Sequence, residues 1–524
     1  MKREREQDDR AYPSPGKSPS DDLAAVMKFY KLPSSFPANV LAEARRVAAQ
    51  PPGSPSRPSP GRSAPLPRMD LRKKFIFTCD PQSARDYDDA LSLEKDRRGN
   101  RVLGVHIADV SHYVRPGSAL DREAYRRSTS VYLCDKVVPM LPEELSNGVC
   151  SLVPGEDRLA FSVFMTFDKA GTCVAATFAK SVIRSRARFT YEQVMNVIRG
   201  GTAPGVGKRE CATIRAISAL AQTLRAARFA AGALDIELPE AEVVLDANGE
   251  MAGLLTRPYD ESHQMVEECM VAANEAVARH LWTRGVKLLA RLHEPPDDEK
   301  IDELRAQLRG LGVRVGNLAN QKVLARFLES IRGNPLYPTL ATMVLRSMKR
   351  AVYDAASIGH FGLAKKYYAH FTSPIRRYPD LTLHRQLADF LAGGDARRPA
   401  RLLAAWARHT TEREEVAAEA ERALLEIKKY RLLDEQLSSR QLVDYDAVVT
   451  KCTPFGCFVD IPDLAVSGLV HVSVLSRRFV RFNQHDQSLS APGGGSWRVG
   501  RRMKVRVAGV DFRQRRIDFV PCSR

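Results

Sequence analysis

The sequence contains no apolar run approaching the ~18 residues that span a bilayer, which argues against a membrane-spanning helix. Met1 to Arg10 mix basic and acidic side chains with no apolar stretch behind them. Neither a signal peptide nor a transit peptide is read there, and a cytoplasmic location is expected. The nine cysteines are dispersed, with no C-x-x-C pair and no His/Cys ladder, so zinc is not expected. They are odd in number, lie mostly among apolar neighbours and read as reduced, packed thiols. Internal repeats are also missing. Acid is in deficit: 62 Asp and Glu stand against 80 Lys and Arg, a net charge of +18. That balance favours a polyanionic partner, RNA or DNA.

What is present divides the 524 residues into several units. Residues 1–22 are rich in charge, Ser and Pro and are expected to be disordered. Residues 23–69 combine a segment with helical spacing (Leu23, Val26, Met27, Tyr30, then Val40, Leu41, Ala44, Val47) and a Pro/Ser-rich linker over 50–68. Pro33 and Pro37 split the helical segment, predicting two short helices or a docking segment. Residues 70–440 mix strand-like runs (Phe75–Phe77, Val102–Val105, Phe161–Met165) with helices (Met265–Trp282, Val323–Arg332). This α+β stretch ends in one long amphipathic helix over about 398–437, which has no Gly and no Pro after Pro399. Residues 441–524 are short β runs broken by Gly and Asp, as in a small barrel.

Chemistry concentrates first at Thr78-Cys-Asp-Pro-Gln-Ser-Ala-Arg-Asp-Tyr-Asp-Asp-Ala90, where Asp80, Asp86, Asp88 and Asp89 fall within ten residues. Pro81 limits an extended strand past Asp80, so a loop wrapping its carboxylates around a common point is predicted. Crowding such charges is costly unless cations neutralise them. Hard oxygen ligands select Mg²⁺ or Mn²⁺, and two such ions about 4 Å apart suit phosphodiester hydrolysis. A solvated acidic turn is the plainer alternative. An EF-hand is disfavoured because that loop's glycine and terminal glutamate are missing.

A second concentration is His370-Phe-Thr-Ser-Pro-Ile-Arg-Arg-Tyr-Pro-Asp380. Ser373 as N-cap and Pro374 at the first helical position predict a helix whose free N–H groups face an anion. Arg376 and Arg377 would lie beside that anion and stabilise transition-state charge. Asp380 and His384, one turn apart, would orient them. The alternative is a surface helix start with an ordinary basic turn.

Together these motifs resemble the catalytic domain of the ribonuclease II/ribonuclease R (RNB) family. The resemblance continues, in order, through His106-Ile-Ala-Asp-Val-Ser-His-Tyr-Val, Leu120-Asp-Arg-Glu-Ala, Thr129-Ser-Val-Tyr132 and Pro139-Met-Leu-Pro-Glu-Glu-Leu-Ser-Asn-Gly-Val-Cys-Ser-Leu. Gly232-Ala-Leu-Asp, Val266-Glu-Glu-Cys-Met-Val-Ala-Ala-Asn274, Arg291-Leu-His-Glu-Pro-Pro296 and His360-Phe-Gly-Leu-Ala extend it over about residues 70–440. It implies a processive 3′→5′ exoribonuclease that hydrolyses single-stranded RNA to 5′-mononucleotides. By motif, Asp80, Asp86, Asp88 and Asp89 are the implied metal-site residues, Asp88 the indispensable one, and Arg376 the catalytic arginine. Tyr132 matches an aromatic that stacks on the terminal base, and Tyr191 another RNA-contacting aromatic. Glu267 or Glu268, and Glu421, fall where the family has acidic residues near the RNA end. Ile236 stands where some bacterial relatives carry a phenylalanine opposite Tyr132, which leaves the end-product length open.

Asp446-Ala-Val-Val-Thr-Lys-Cys-Thr-Pro-Phe-Gly-Cys-Phe-Val-Asp and Ser467-Gly-Leu-Val-His-Val-Ser resemble an S1 domain of the OB-fold type. Phe455, Phe458 and His471 match its base-stacking positions, Phe458 having a core reading as well. Larger relatives carry two N-terminal cold-shock barrels, which the roughly 70 residues here cannot form. Residues 24–47 resemble the segment that usually precedes the catalytic domain. A monomer without zinc is expected. The rival readings are a catalytically silent RNA-binding scaffold and a metal-dependent endonuclease or nucleotide phosphohydrolase.

Overall fold

The computed structural model describes residues 12–13, 15–16, 18–50, 66–134, 136–236, 240–257, 259–334, 336–440, 443–484, 488–492 and 495–522. Most of the expected linker, residues 51–65, lies outside them. Two short helices come first, α1 (Pro19–Phe29) and α2 (Ala38–Ala48), separated at Pro33 and Pro37. An unstructured tail reaching residue 22 needs correction. Ser18 caps α1 by accepting from the Asp21 N–H, Pro19 suits the first turn, and Asp22 is fully buried.

A seven-stranded mixed sheet forms the body, built from β1 (Met69–Asp70), β2 (Phe77–Cys79), β3 (Asp89–Lys95), β4 (Arg101–Ala108) and three later strands. Between β4 and those three lies a small separate hairpin, β5 (Val131–Tyr132) and β6 (Val137–Val138). The remaining sheet strands are β7 (Asp157–Phe167), β8 (Cys173–Arg184) and β9 (Ala187–Phe189). Their order is β1-β8-β7-β4-β3-β2-β9, parallel at β1/β8 and β2/β9 and antiparallel elsewhere.

Central strands read as apolar runs because both faces are covered. Phe161, Val163 and Met165 face one cluster with α3 (Tyr191–Ile198), α4 (Lys208–Ala230) and α5 (Glu261–Trp282). Leu159 and Ala160 join a second cluster with α2 and with Ile375 and Tyr378. Helix α6 (Tyr378–Leu391) follows the arginine motif. Then comes α7 (Ala400–Ser438), continuous over 39 residues and so about 58 Å long. It carries the chain to a closed barrel of β10 (Tyr445–Thr453), β11 (Gly456–Ile461), β12 (Val466–His471), β13 (Arg502–Asp511) and β14 (Arg516–Pro521). No helix is long and apolar enough to cross a membrane among the described residues.

Candidate active site

The acidic motif is a loop, as its Pro81 demanded. It leaves the sheet after β2 and returns at Asp89, the first residue of β3. Asp80 N–H donates to Phe189 O at 3.0 Å, and Ala108 N–H donates to Asp88 O at 2.8 Å. Between these anchors Ser151 holds the loop: its hydroxyl accepts from Tyr87 N–H (3.0 Å) and donates to Arg85 O (2.7 Å).

Asp88 is the innermost carboxylate, 3% exposed. Its Oδ1 accepts from Ile375 N–H at 2.9 Å, and its Oδ2 accepts from Arg376 Nε at 3.4 Å, across 288 positions of sequence. Arg376 also donates through Nη2 to Ser373 Oγ at 3.0 Å. Burial pushes the carboxyls of Asp80, Asp88 and Asp89 above the usual carboxylate range, with Arg376 and the Ile375 N–H opposing this at Asp88. Asp80 Oδ2 is buried with no hydrogen-bond partner. Three desolvated carboxyls and an orphaned carboxylate oxygen fit a hard divalent cation, whose charge would favour their ionised forms. Among the described residues no three such side chains are yet gathered at metal-binding separation.

The arginine motif departs from the expected helix. Residues 374–376 form a turn, and the helix starts at Tyr378. A helix from Pro374 would need an N–H at residue 379 for the Ile375 carbonyl, which Pro379 lacks. The Ile375 N–H, which has no partner within such a turn, donates to Asp88. Asp380 does orient an arginine, its Oδ1 accepting from Arg377 Nη2 and Ser373 N–H, both at 2.8 Å. His384 does not. It donates to Phe371 O at 2.8 Å and stacks on the Phe371 ring.

Tyr132, 43% exposed, reaches over the carboxylates and donates through its hydroxyl to Asp86 Oδ2 at 3.4 Å. Glu421 on α7 accepts from the Tyr132 N–H at 2.7 Å, so it holds this tyrosine's backbone. Ser130 N–H and Tyr378 N–H lace the chain before β5 to the arginine turn, bonding to Arg376 O at 3.0 Å and Ser128 O at 2.9 Å. Tyr191 opens α3, and His263 covers one ring face at 3.8 Å between centroids. Glu267 pairs with Arg228 (3.1 Å) and accepts from Tyr259, while Glu268 is buried against Arg228. Ile236 packs half-buried on the cluster of helices Asp298–Gly310, Gln321–Ser330 and Tyr337–Ser347.

On the barrel, Phe455 and His471 are exposed and Phe458 half-buried, with the two phenylalanine rings edge-to-face at 6.1 Å. Sequence reasoning missed Phe479, 82% exposed between Arg478 and the β-strand residue Arg481. The Arg-Arg-Phe-Val-Arg run was the available signal, a stackable ring among phosphate-seeking cations.

Comparison with known proteins gives a consistent picture. The family described as "RNB domain" matches residues 68–393, and "S1 RNA binding domain" matches 444–520. The chain is 40% identical to Ribonuclease R of Thermotoga maritima over 534 residues, covering 97% of this chain and 73% of that protein. It is 36% identical to Ribonuclease R of Aquifex aeolicus, covering 95% of this chain and 70% of that one. A solved structure of Mycoplasma genitalium RNase R with ribose-methylated single-stranded RNA superposes with a TM-score of 0.85 at 27% identity, covering 97% of this chain and 79% of its own.

Proposed function

The chain belongs to the RNB family, and from that premise we propose that Asp80, Asp86, Asp88, Asp89 and Arg376 form its hydrolytic centre, with Tyr132 as the platform for the terminal base. It is an exoribonuclease acting 3′→5′ on RNA. The catalytic unit spans residues 70–440 and the RNA-binding S1 unit 441–524 in this reading, and single-stranded RNA is degraded processively to 5′-monophosphates. The observation that carries it is the meeting of Asp88 with Ile375 and Arg376, two distant motifs closed on one carboxylate.

Magnesium, or manganese in its place, is the cation proposed for the four aspartates, and when bound it supplies positive charge to the scissile phosphate. The protein's own groups do the rest. Arg376, held by Asp88 and Ser373, presents a fixed guanidinium where charge builds on phosphate oxygens. Arg377 is turned to Asp380 and so supports the turn. Tyr132 offers a ring face that any base can stack upon, which suits an enzyme indifferent to sequence. Phe455, Phe458, His471 and Phe479 extend stacking to the barrel.

A 5′-labelled single-stranded RNA incubated with the protein and Mg²⁺ tests the reading. Direct conversion to a short 5′ oligomer is expected. Internal fragments would support an endonuclease, and intact RNA a scaffold.

A further inference from the structure

The Tyr132 hairpin stands apart from the main sheet. Its strands are two residues each, too short to be stable alone. Its inward residues Val131, Leu133 and Val138 are buried in a cluster shared with Val26, Met27 and Leu32 at α1 and with Ala417, Ala420, Leu424 and Ile427 of α7. Among the described residues, no strand of the main sheet contributes to that cluster. Beside the backbone bonds to Glu421 and Arg376, the stiffness of the platform therefore depends on what holds α1 against α7.

Several polar ties do so. Asp22, fully buried, accepts from Arg431 of α7 and from Gly16 N–H at 2.7 Å, and Arg431 Nη2 donates to Gly16 O at 2.6 Å. The single Tyr12 hydroxyl proton is shared between Ala423 O at 3.1 Å and Glu426 Oε2 at 3.0 Å. Arg515, in the β13–β14 turn of the barrel, donates to the same Glu426 oxygen at 2.7 Å and lies 4.5 Å from the Tyr12 ring centroid. The stretch of α7 from Glu421 to Arg431 thus receives the Tyr132 backbone at Glu421, the N-terminal segment at Ala423, Glu426 and Arg431, and the barrel at Glu426.

We propose that the segment from Tyr12 to Leu32 is a brace that positions Tyr132 for the RNA 3′ end. It acts through Val131, Leu133 and Val138, and touches no reacting atom. Its residues are positioning residues for the base platform. The inference rests on reading Tyr132 as that platform.

Met27→Ala removes buried volume from the shared cluster and leaves every aspartate and Arg376 in place. Its apparent KM for a short single-stranded RNA should rise about threefold to tenfold with kcat within about twofold, and its end products should lengthen, because a loosened platform loses stacking. Met27→Leu, which conserves volume, should restore both. Tyr12→Phe keeps the ring and loses the hydroxyl shared by Ala423 O and Glu426, so it gives a smaller shift of the same sign should Met27→Ala fold poorly. In a Tyr132→Ala background, Met27→Ala should change neither KM nor end-product length further. If Tyr132→Ala alone shifts both while Met27→Ala and Tyr12→Phe shift neither, the brace is overturned and the platform stands. If Tyr132→Ala itself changes nothing, the platform reading fails. Equal Met27→Ala effects with and without Tyr132 would show that the cluster acts by another route.

Discussion

Asp88 and Tyr132, which bonds to nearby Asp86, are held by the molecule in different ways. Asp88 sits where β3 begins, its carbonyl bonded to β4 and its carboxylate to the Ile375 turn, between two large clusters. Tyr132 projects from a hairpin of two-residue strands, held by one peripheral cluster, a glutamate on α7 and the Ser130 bond to the Arg376 carbonyl. On the proposed roles, the carboxylate at the reacting phosphate is anchored to the sheet and the arginine turn, while the ring for the terminal base stands on a small separate hairpin. Loss of the first should appear in kcat and loss of the second in KM.

The largest effect tests the fixed half. Arg376→Lys keeps a charge but has no planar fork to reach both Asp88 and Ser373. Single-turnover hydrolysis should fall about 10²- to 10³-fold, with RNA affinity little changed. A loss confined to affinity would assign Arg376 to substrate retention. Tyr132→Ala tests the hairpin half. Removing a stack worth about 1–3 kcal/mol should weaken terminal binding about 5- to 150-fold and lengthen the end product, with kcat nearly intact. A kcat loss equal to that of Arg376→Lys would erase the distinction.

The smallest effect concerns the body beneath both. Burial holds His106, His360 and His384 uncharged, with pKa values lowered to about 3. The unfolded chain protonates such groups near pH 6.5, so between about pH 6.5 and 3 it binds the more protons and stability falls on acidification. Each such histidine steepens the slope by up to about 1.4 kcal/mol per pH unit. Urea midpoints from pH 7.5 to 4.5 should decline, and His106→Gln should flatten the decline. A slope unchanged by that substitution would remove His106 from the account.

Local pattern in the sequence exposed the parts that local rules govern. The 39-residue helix, the loop at Pro81 and the barrel follow from spacing and from proline and glycine placement. The helix at Ser373 failed because Pro379, five residues beyond Pro374, overrules a good cap. His384 was misjudged for a related reason. One turn from Asp380 places it on the same helix face, but the Phe371 backbone fills that space first. The block around His106 and Asp109 marks the fold rather than the chemistry. His106 bonds Ser92 and Ser162 at 2.9 and 2.7 Å, and Asp109 is buried between Arg68 and Lys180. The closure of Asp88 on Arg376, and the passage of Tyr132 through Glu421 to α7, join residues hundreds of positions apart, which no window of spacing contains.

Asp88→Asn tests the centre of the account most directly. The amide oxygen can still accept from Ile375 N–H, so the loop keeps its place while one charge is lost. Hydrolysis and RNA dissociation constant, measured side by side in Mg²⁺, should separate: cleavage falls by about 10³-fold or more, and affinity stays within about threefold. Cleavage at the wild-type rate would contradict the assignment of the aspartate loop as the hydrolytic centre.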